Sequence, residues 1–279
     1  MLLECAIGDS YGSAFEYADA EIVKSNNNLT YLTRETQGFV PGKYTDDTQM
    51  SIAIAELLLS DRKWTKDSIA KRFLICFKRN PRQGYAGGFY RFLQKTKSSN
   101  NFLKHIKPNS DKSGGAMRAC PIGILPCEIE VMAKTALQAS VTHDTPNGIA
   151  AAQGAALAAH YFAYDRGPKK DLGDYISSLV KSDWVFPWTG PVDSKGMHSV
   201  SAAITTIMNC DSMSELLKES IAFCGDVDTV AAIACSAASL SKEIKQDIPQ
   251  NLYDGLENGW QGREYLEELD KRLLSLIRK

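Results

Sequence analysis

The chain has no C-x-x-C pair, no long apolar run, no block of basic residues and no internal repeat, and each absence removes a class of protein. Its seven cysteines, Cys5, Cys76, Cys120, Cys127, Cys210, Cys224 and Cys235, are scattered in apolar context. That spacing excludes a zinc ribbon or dithiol motif and fits reduced thiols in a cytosol-like compartment. No run of about 18 apolar residues occurs, and the N-terminus lacks a basic stretch leading into an apolar core, so a cytoplasmic protein without a membrane span or leader is expected. A formal net charge of −1, with no basic stripe, argues against nucleic acid as a partner. Strand-length β-branched runs do not alternate with helical segments, which disfavours a parallel sheet. The 279 residues are 44% apolar, ample for a core, and no linker divides them, so one domain over 1–279 is expected.

Against these absences one stretch stands out, Tyr44-Thr45-Asp46-Asp47-Thr48-Gln49-Met50, which opens the apolar run Ser51 to Leu59. Thr45 reads as the N-cap of a helix whose first turn carries both aspartates. The helix dipole, equivalent to roughly half a charge, is too weak to hold two adjacent carboxylates and two hydroxyls together. A hard divalent cation such as Mg²⁺ takes oxygen ligands of this kind. The pattern returns as Gly225-Asp226-Val227-Asp228-Thr229 before the small-residue segment Val230 to Leu240. Each cluster alone reads most simply as a helix cap, but six ligand-type residues at two matching helix starts point to one shared metal site.

The rest of the chain reads as helices. Leu2 to Tyr17 is a closely packed helix interrupted by Gly8 and Gly12, with Asp9 and Glu16 among its polar groups. Ala20 to Lys43, with Asn26-Asn27-Asn28 and Gly38-Phe39-Val40-Pro41-Gly42, reads as a loop. Helices are predicted over 45–60, 65–78, 87–95, 114–125 and 128–140, with a loop at 98–113. The Ala-rich stretch within 145–164 predicts a tightly packed core helix. After the segment 169–181, a long ordered loop over 182–199, four closing helices (200–208, 212–223, 229–243, 264–278) and a turn near 249–260 complete an all-α, compact single-domain orthogonal bundle.

Two motifs invite other readings. Gly8-Asp9-Ser10 matches the nucleophile block of GDSL-type esterases, but Asp193 lies five residues before His198, the last histidine, where that chemistry needs three. Asp226-Val227-Asp228-Thr229-Val230 fits a haloacid-dehalogenase nucleophile motif, yet an Ala-rich helix follows at once and only about 50 residues remain.

Taken in order, Gly8-Asp9-Ser10-Tyr11-Gly12 with Glu16, Thr45-Asp46-Asp47-Thr48-x-Met50, Gly114-Gly115-Ala116-Met117-Arg118, Thr142-His143 and Gly225-Asp226-x-Asp228-Thr229 resemble the ADP-ribosylglycohydrolase family. The resemblance implies a two-magnesium cleft, with Mn²⁺ as the alternative ion. It carries metal-ligand roles onto Thr45, Asp46, Asp47, Asp226, Asp228 and Thr229, and catalytic roles onto Glu16 and Asp47. It makes Ser113, Gly114, Gly115 and Met117 part of a loop wrapping ADP-ribose and His143 a cleft residue. Tyr85 is expected to line a leaving-group pocket. The expected partner is an ADP-ribosylated protein or ADP-ribose, met by a monomer.

The pattern departs from arginine-specific members at Asn80-Pro81-Arg82-Gln83-Gly84-Tyr85, where Arg82 and Gln83 replace an acidic residue that would meet a guanidinium. The leading expectation is hydrolysis of an ADP-ribosyl side-chain bond, arginine slightly ahead of serine or other linkages. The alternative is a catalytically silent binding or crystallin-like member.

Overall fold

The computed structural model describes residues 1–32 and 40–277. The hub is a helix with no solvent face, Val227–Ala238, all of whose residues are buried. A helix hydrophobic all round must be surrounded, and small side chains let its neighbours approach. Numbered in chain order, the helices are α1 (Leu2–Gly12), α2 (Ala20–Asn26), α3 (Asp46–Leu58), α4 (Lys66–Arg79), α5 (Gly87–Lys95), α6 (Ser99–His105) and α7 (Glu128–Ala139). They continue with α8 (Pro146–Ala163), α9 (Leu172–Leu179), α10 (Gly196–Asn209), α11 (Met213–Ala222), the hub α12 (Val227–Ala238), α13 (Gln250–Gly255) and α14 (Arg263–Leu274). No strand forms among the described residues; their extended pairing is confined to isolated bridges such as Lys112 with Lys195. The fold is all-α, as expected.

The hub packs against α1, α8, α10 and α11, and α1 in turn packs on α3 and α14. Two glycines set the closest of these contacts. A Cβ on Gly8 would lie 2.5 Å from the carbonyl oxygen of Ala231, and one on Gly12 would lie 2.5 Å from Cα of Asp228. Backbone therefore meets backbone where α1 ends and α12 begins, and this puts Glu16, just past α1, beside the acidic start of α12.

Local signals account for most boundaries. Thr65 accepts from Ser68 N at 3.1 Å and caps α4, whose buried Ile69, Ala70, Phe73, Leu74 and Phe77 follow a helical stripe. Thr145 accepts from Gly148 N at 3.0 Å and caps α8, with Pro146 in the first turn.

Four expectations need correction. Ala20–Asn26 is helical rather than loop, with Val23 buried; the expected loop over 33–39 lies outside the described residues. The predicted 98–113 loop contains α6, capped by Ser98 accepting from Asn101 N at 3.1 Å. The predicted 114–125 helix is instead two 3₁₀ turns, Ser113–Gly115 and Cys120–Ile124. Gly114, Gly115, Pro121 and Gly123 explain this, since glycine weakens a helix and proline removes a donor. The turn near 249–260 includes α13.

Candidate active site

Three helix ends converge on one cleft of about 600 Å³: the start of α3, the start of α12 and the turn after α1. Asp46, Asp47, Glu16, Asp226, Asp228 and Thr229 line its floor. Oxygens of Glu16, Asp226 and Asp228 lie within 4.8 Å of one another. Asp46, Asp47, Asp226 and Asp228 are buried and Glu16 is half-buried. No ion pair joins any of them to a lysine or arginine among the described residues. Burial, then the charges of Asp226 and Asp9, push the Glu16 carboxyl up to about 7. Burial followed by neighbouring carboxylates also holds Asp46, Asp47 and Asp228 well above the usual carboxylate range. Such a group resists full ionisation unless a counter-charge enters.

The donor set fits a hard cation. Every side chain on the floor offers oxygen, and the buried Asp47 Oδ2 has no hydrogen-bond partner among the described residues. A buried carboxylate oxygen left without a donor is costly, and a divalent ion is one way to satisfy it.

The two helix starts are held differently. Asp226 accepts from Ser199 Oγ at 3.1 Å, and its own N–H donates to Val192 O at 2.9 Å. At α3, Thr45 occupies the N-cap with extended backbone, but its side chain does not cap the helix, contrary to expectation. Its hydroxyl donates to Asp9 Oδ1 at 2.7 Å, while Thr45 N, Thr48 N and the Thr48 hydroxyl donate to Asp9 Oδ2 at 2.9, 3.0 and 2.5 Å. A carboxylate is the stronger acceptor, so a residue 36 positions away displaces the local cap. Asp9 was legible as a polar group of the first helix and as part of the Gly8-Asp9-Ser10 motif, but nothing local in the sequence announces its donors. Thr45 itself is buried behind the cleft wall and orients its hydroxyl through Asp9.

Gly84 allows the approach to this corner, with φ +97° and a Cβ position only 2.0 Å from Asp46 Oδ1. Arg82 does not face the cleft. It is buried, stacked 3.8 Å over the Tyr44 ring and ion-paired with Glu257. Gln83 contributes its carbonyl to Asp46 N at 3.0 Å.

Above the floor, Ser113, Gly114, Met117 and His143 line one side and Tyr85, with Phe89 and Phe92, the other. The Tyr85 hydroxyl is occupied, donating to Gln49 Oε1 at 2.8 Å, so this residue presents its ring. Gly115 is set back beneath His143 rather than on the surface of the cleft, and its carbonyl accepts from Gln138 at 2.8 Å. Lys107 and Lys112 stand at the lining as well, a basic element not singled out from sequence.

The floor is acidic and oxygen-only and the walls above it are aromatic and basic; the family model for ADP-ribosylglycohydrolase matches residues 1–279. The chain belongs to the ADP-ribosylglycohydrolase family. It is 30% identical over 190 residues to ADP-ribosylhydrolase ARH3 of Danio rerio, a match covering 64% of this chain and 50% of that protein, about half its length. It is 24% identical over 293 residues to the ADP-ribosyl-(dinitrogen reductase) glycohydrolase of Rhodospirillum rubrum, covering 99% and 91% of the two chains. A solved structure described as an ADP-ribosylglycohydrolase-related protein complex shares the fold, with TM-score 0.70 at 21% identity over 99% of this chain and 96% of the other. No helix among the described residues is long and apolar enough to cross a membrane.

Proposed function

We propose that this protein is a metal-dependent hydrolase that cleaves the bond between ADP-ribose and a modified protein side chain. The observation that carries the reading is the meeting of Glu16, Asp226 and Asp228 with Asp46 and Asp47 on one unneutralised floor. Asp46, Asp47, Asp226, Asp228 and Thr229, which line the floor, would hold two Mg²⁺ ions, or Mn²⁺ in their place; Thr45, expected from sequence to join them, is set behind them on Asp9. Bound there, the ions supply charge neutralisation, coordination positions for the ribose diol and a more acidic water.

The chain's own groups supply the rest. Cleaving at the ribose anomeric carbon builds positive charge on the sugar, and a floor of carboxylates favours that charge. Glu16, at the edge of the floor, can accept a hydrogen bond from a ribose hydroxyl or take a proton from water. Asp47 Oδ2, with no donor among the described residues, can orient the attacking water. Ser113, Gly114, Met117 and His143 would bind the ADP-ribose moiety, with Gly115 supporting the turn from beneath and Lys107 and Lys112 favouring its pyrophosphate. Tyr85 and Phe89 would shield the leaving group.

The linkage follows from charge. With Arg82 turned inward onto Glu257, the leaving-group side offers rings and, among the described residues, no carboxylate beyond the floor itself. A guanidinium loses its expected partner, so the slight preference for arginine passes to hydroxyl-linked ADP-ribose such as serine.

The test is release of ADP-ribose from arginine-, serine- and polymer-linked substrates, with Mg²⁺ and with EDTA. Release from at least one linkage that EDTA abolishes is expected. ADP-ribose binding without release from any substrate would reduce the protein to a binding module.

A further inference from the structure

Arg118 is buried, stacked 4.4 Å over Phe73, and a guanidinium can only donate. It donates through Nε to Gln138 Oε1 at 2.7 Å and through a terminal nitrogen to Thr142 Oγ1 at 2.7 Å. Thr142 Oγ1 in turn lies 2.7 Å from His143 Nδ1. Thr142 is buried and its hydroxyl carries one proton. If Nδ1 carried hydrogen, both neighbours would donate to the hydroxyl oxygen and its own proton would have no acceptor in this set of contacts, a costly arrangement for a buried group. The proton therefore runs from Thr142 to His143 Nδ1, and the ring's hydrogen sits on Nε2.

The same network sets where Nε2 lies. Gln138 Nε2 donates to Gly115 O at 2.8 Å, tying the Ser113–Gly115 turn to the residues that hold the ring. A Cβ on Gly114 would come within 3.3 Å of His143 Nε2 and 3.0 Å of its Cε1, so glycine lets the ring lie close along the cleft wall and a side chain there would press on it. Burial and the Arg118 charge push the His143 imidazole down to about 3, in keeping with a neutral ring.

We propose that Arg118 and Thr142 are positioning residues that fix His143 in the Nε2–H tautomer, so that a neutral histidine donates one directed hydrogen bond to an oxygen of the ADP-ribose moiety. The inference rests on the ADP-ribose reading above for the identity of the acceptor, but the tautomer is set within the protein and is measurable without ligand.

The experiment combines nitrogen NMR of the histidine side chains in the full chain with calorimetric titration of ADP-ribose. In the wild-type protein Nδ1 of His143 reports as the unprotonated, acceptor nitrogen. Thr142→Val, which keeps the shape and removes the hydroxyl, loses that signature and binds ADP-ribose about tenfold more weakly. Thr142→Ser restores both. A purely structural role for Thr142 would not move the nitrogen signature. A wild-type ring protonated at Nδ1, or a Thr142→Val variant with unchanged signature and affinity, overturns the proposal. A wild-type protein with the expected signature and no affinity for ADP-ribose overturns the proposed function and the ligand-facing half of this inference, while leaving the tautomer assignment supported.

Discussion

Helix α3 carries acidic side chains at both ends, and they live in opposite circumstances. Glu56, near its C-terminus, is finished by the protein: Arg72 donates to it at 2.8 Å, Arg79 at 2.5 Å and the Tyr265 hydroxyl at 2.5 Å. Asp46 and Asp47, at its N-terminus, face three further carboxylates across the cleft, and Asp47 Oδ2 has no partner among the described residues. The first arrangement ties α3 to α4 and α14 and contributes stability. The second has no counter-charge among the described residues, and on the proposed reading that asymmetry separates a structural charge from a functional one.

Breaking each end should give opposite signatures. The largest effect is expected for Asp46→Ala or Asp228→Ala, which should lower turnover about 10³-fold or more, roughly 4 kcal/mol of barrier. In metal-free buffer the same variants should melt no lower than wild type, because each removes a charge that is repelled in the folded state. Near-normal turnover in both would sink the site assignment. Glu56→Ala should do the reverse, destabilising the fold by about 3 kcal/mol by stranding two guanidinium groups, with the per-molecule activity of the folded protein retained. Urea unfolding with turnover measured on the folded fraction separates the two cases.

A metal titration sharpens the same contrast. A ligand that binds only the folded state at 100 times its dissociation constant stabilises by about 2.7 kcal/mol, a melting shift of several degrees for a chain of this size. Mg²⁺ should give that shift in wild type and in Glu56→Ala, measured from each protein's own baseline, and none in Asp228→Ala. An equal shift in all three proteins would mean that the ion binds elsewhere.

The two ends of α3 were not equally legible in the sequence. Thr45-Asp46-Asp47 and Asp226-x-Asp228-Thr229 each stand out because a helix start is a local signal, read from a few adjacent residues. That the two meet in space depends on Gly8 and Gly12 letting α1 lie against the hub, a contact between residues more than 200 positions apart that no periodicity encodes. Asp9 shows the limit most directly. Its four donors belong to Thr45 and Thr48, so a sequence pattern assigns the cap to the nearer hydroxyl and misses the stronger, distant carboxylate. Arg82 shows the same limit: the sequence places it where an acidic residue would meet a guanidinium but not which way it points, and it turns inward because Tyr44 and Glu257 meet its cation there. The α-helical class and most helices were readable from composition and spacing. The glycine-rich 113–125 segment was not, because its neighbours rather than its propensity decide how it turns.

The smallest expected effect tests the cleft wall rather than its floor. His143 is held neutral, with its imidazole pushed down to about 3 by burial and by Arg118, against roughly 6.5 in an unfolded chain. Below pH 6.5 the unfolded chain takes up a proton that the folded site refuses, so this contribution is fully present above pH 6.5 and is lost progressively as the pH falls towards 3. Between pH 7 and pH 5 the loss amounts to about 2 kcal/mol. Glu16 acts with the opposite sign, since a carboxyl raised to about 7 favours the folded state as the pH falls. The informative quantity is therefore the difference between proteins. His143→Gln should lose about 2 kcal/mol less than wild type between pH 7 and pH 5 in metal-free urea unfolding. Equal losses in the two proteins would mean that the folded state accepts a proton on His143, and the wall would then resemble the cation-ready floor instead of a neutral donor surface.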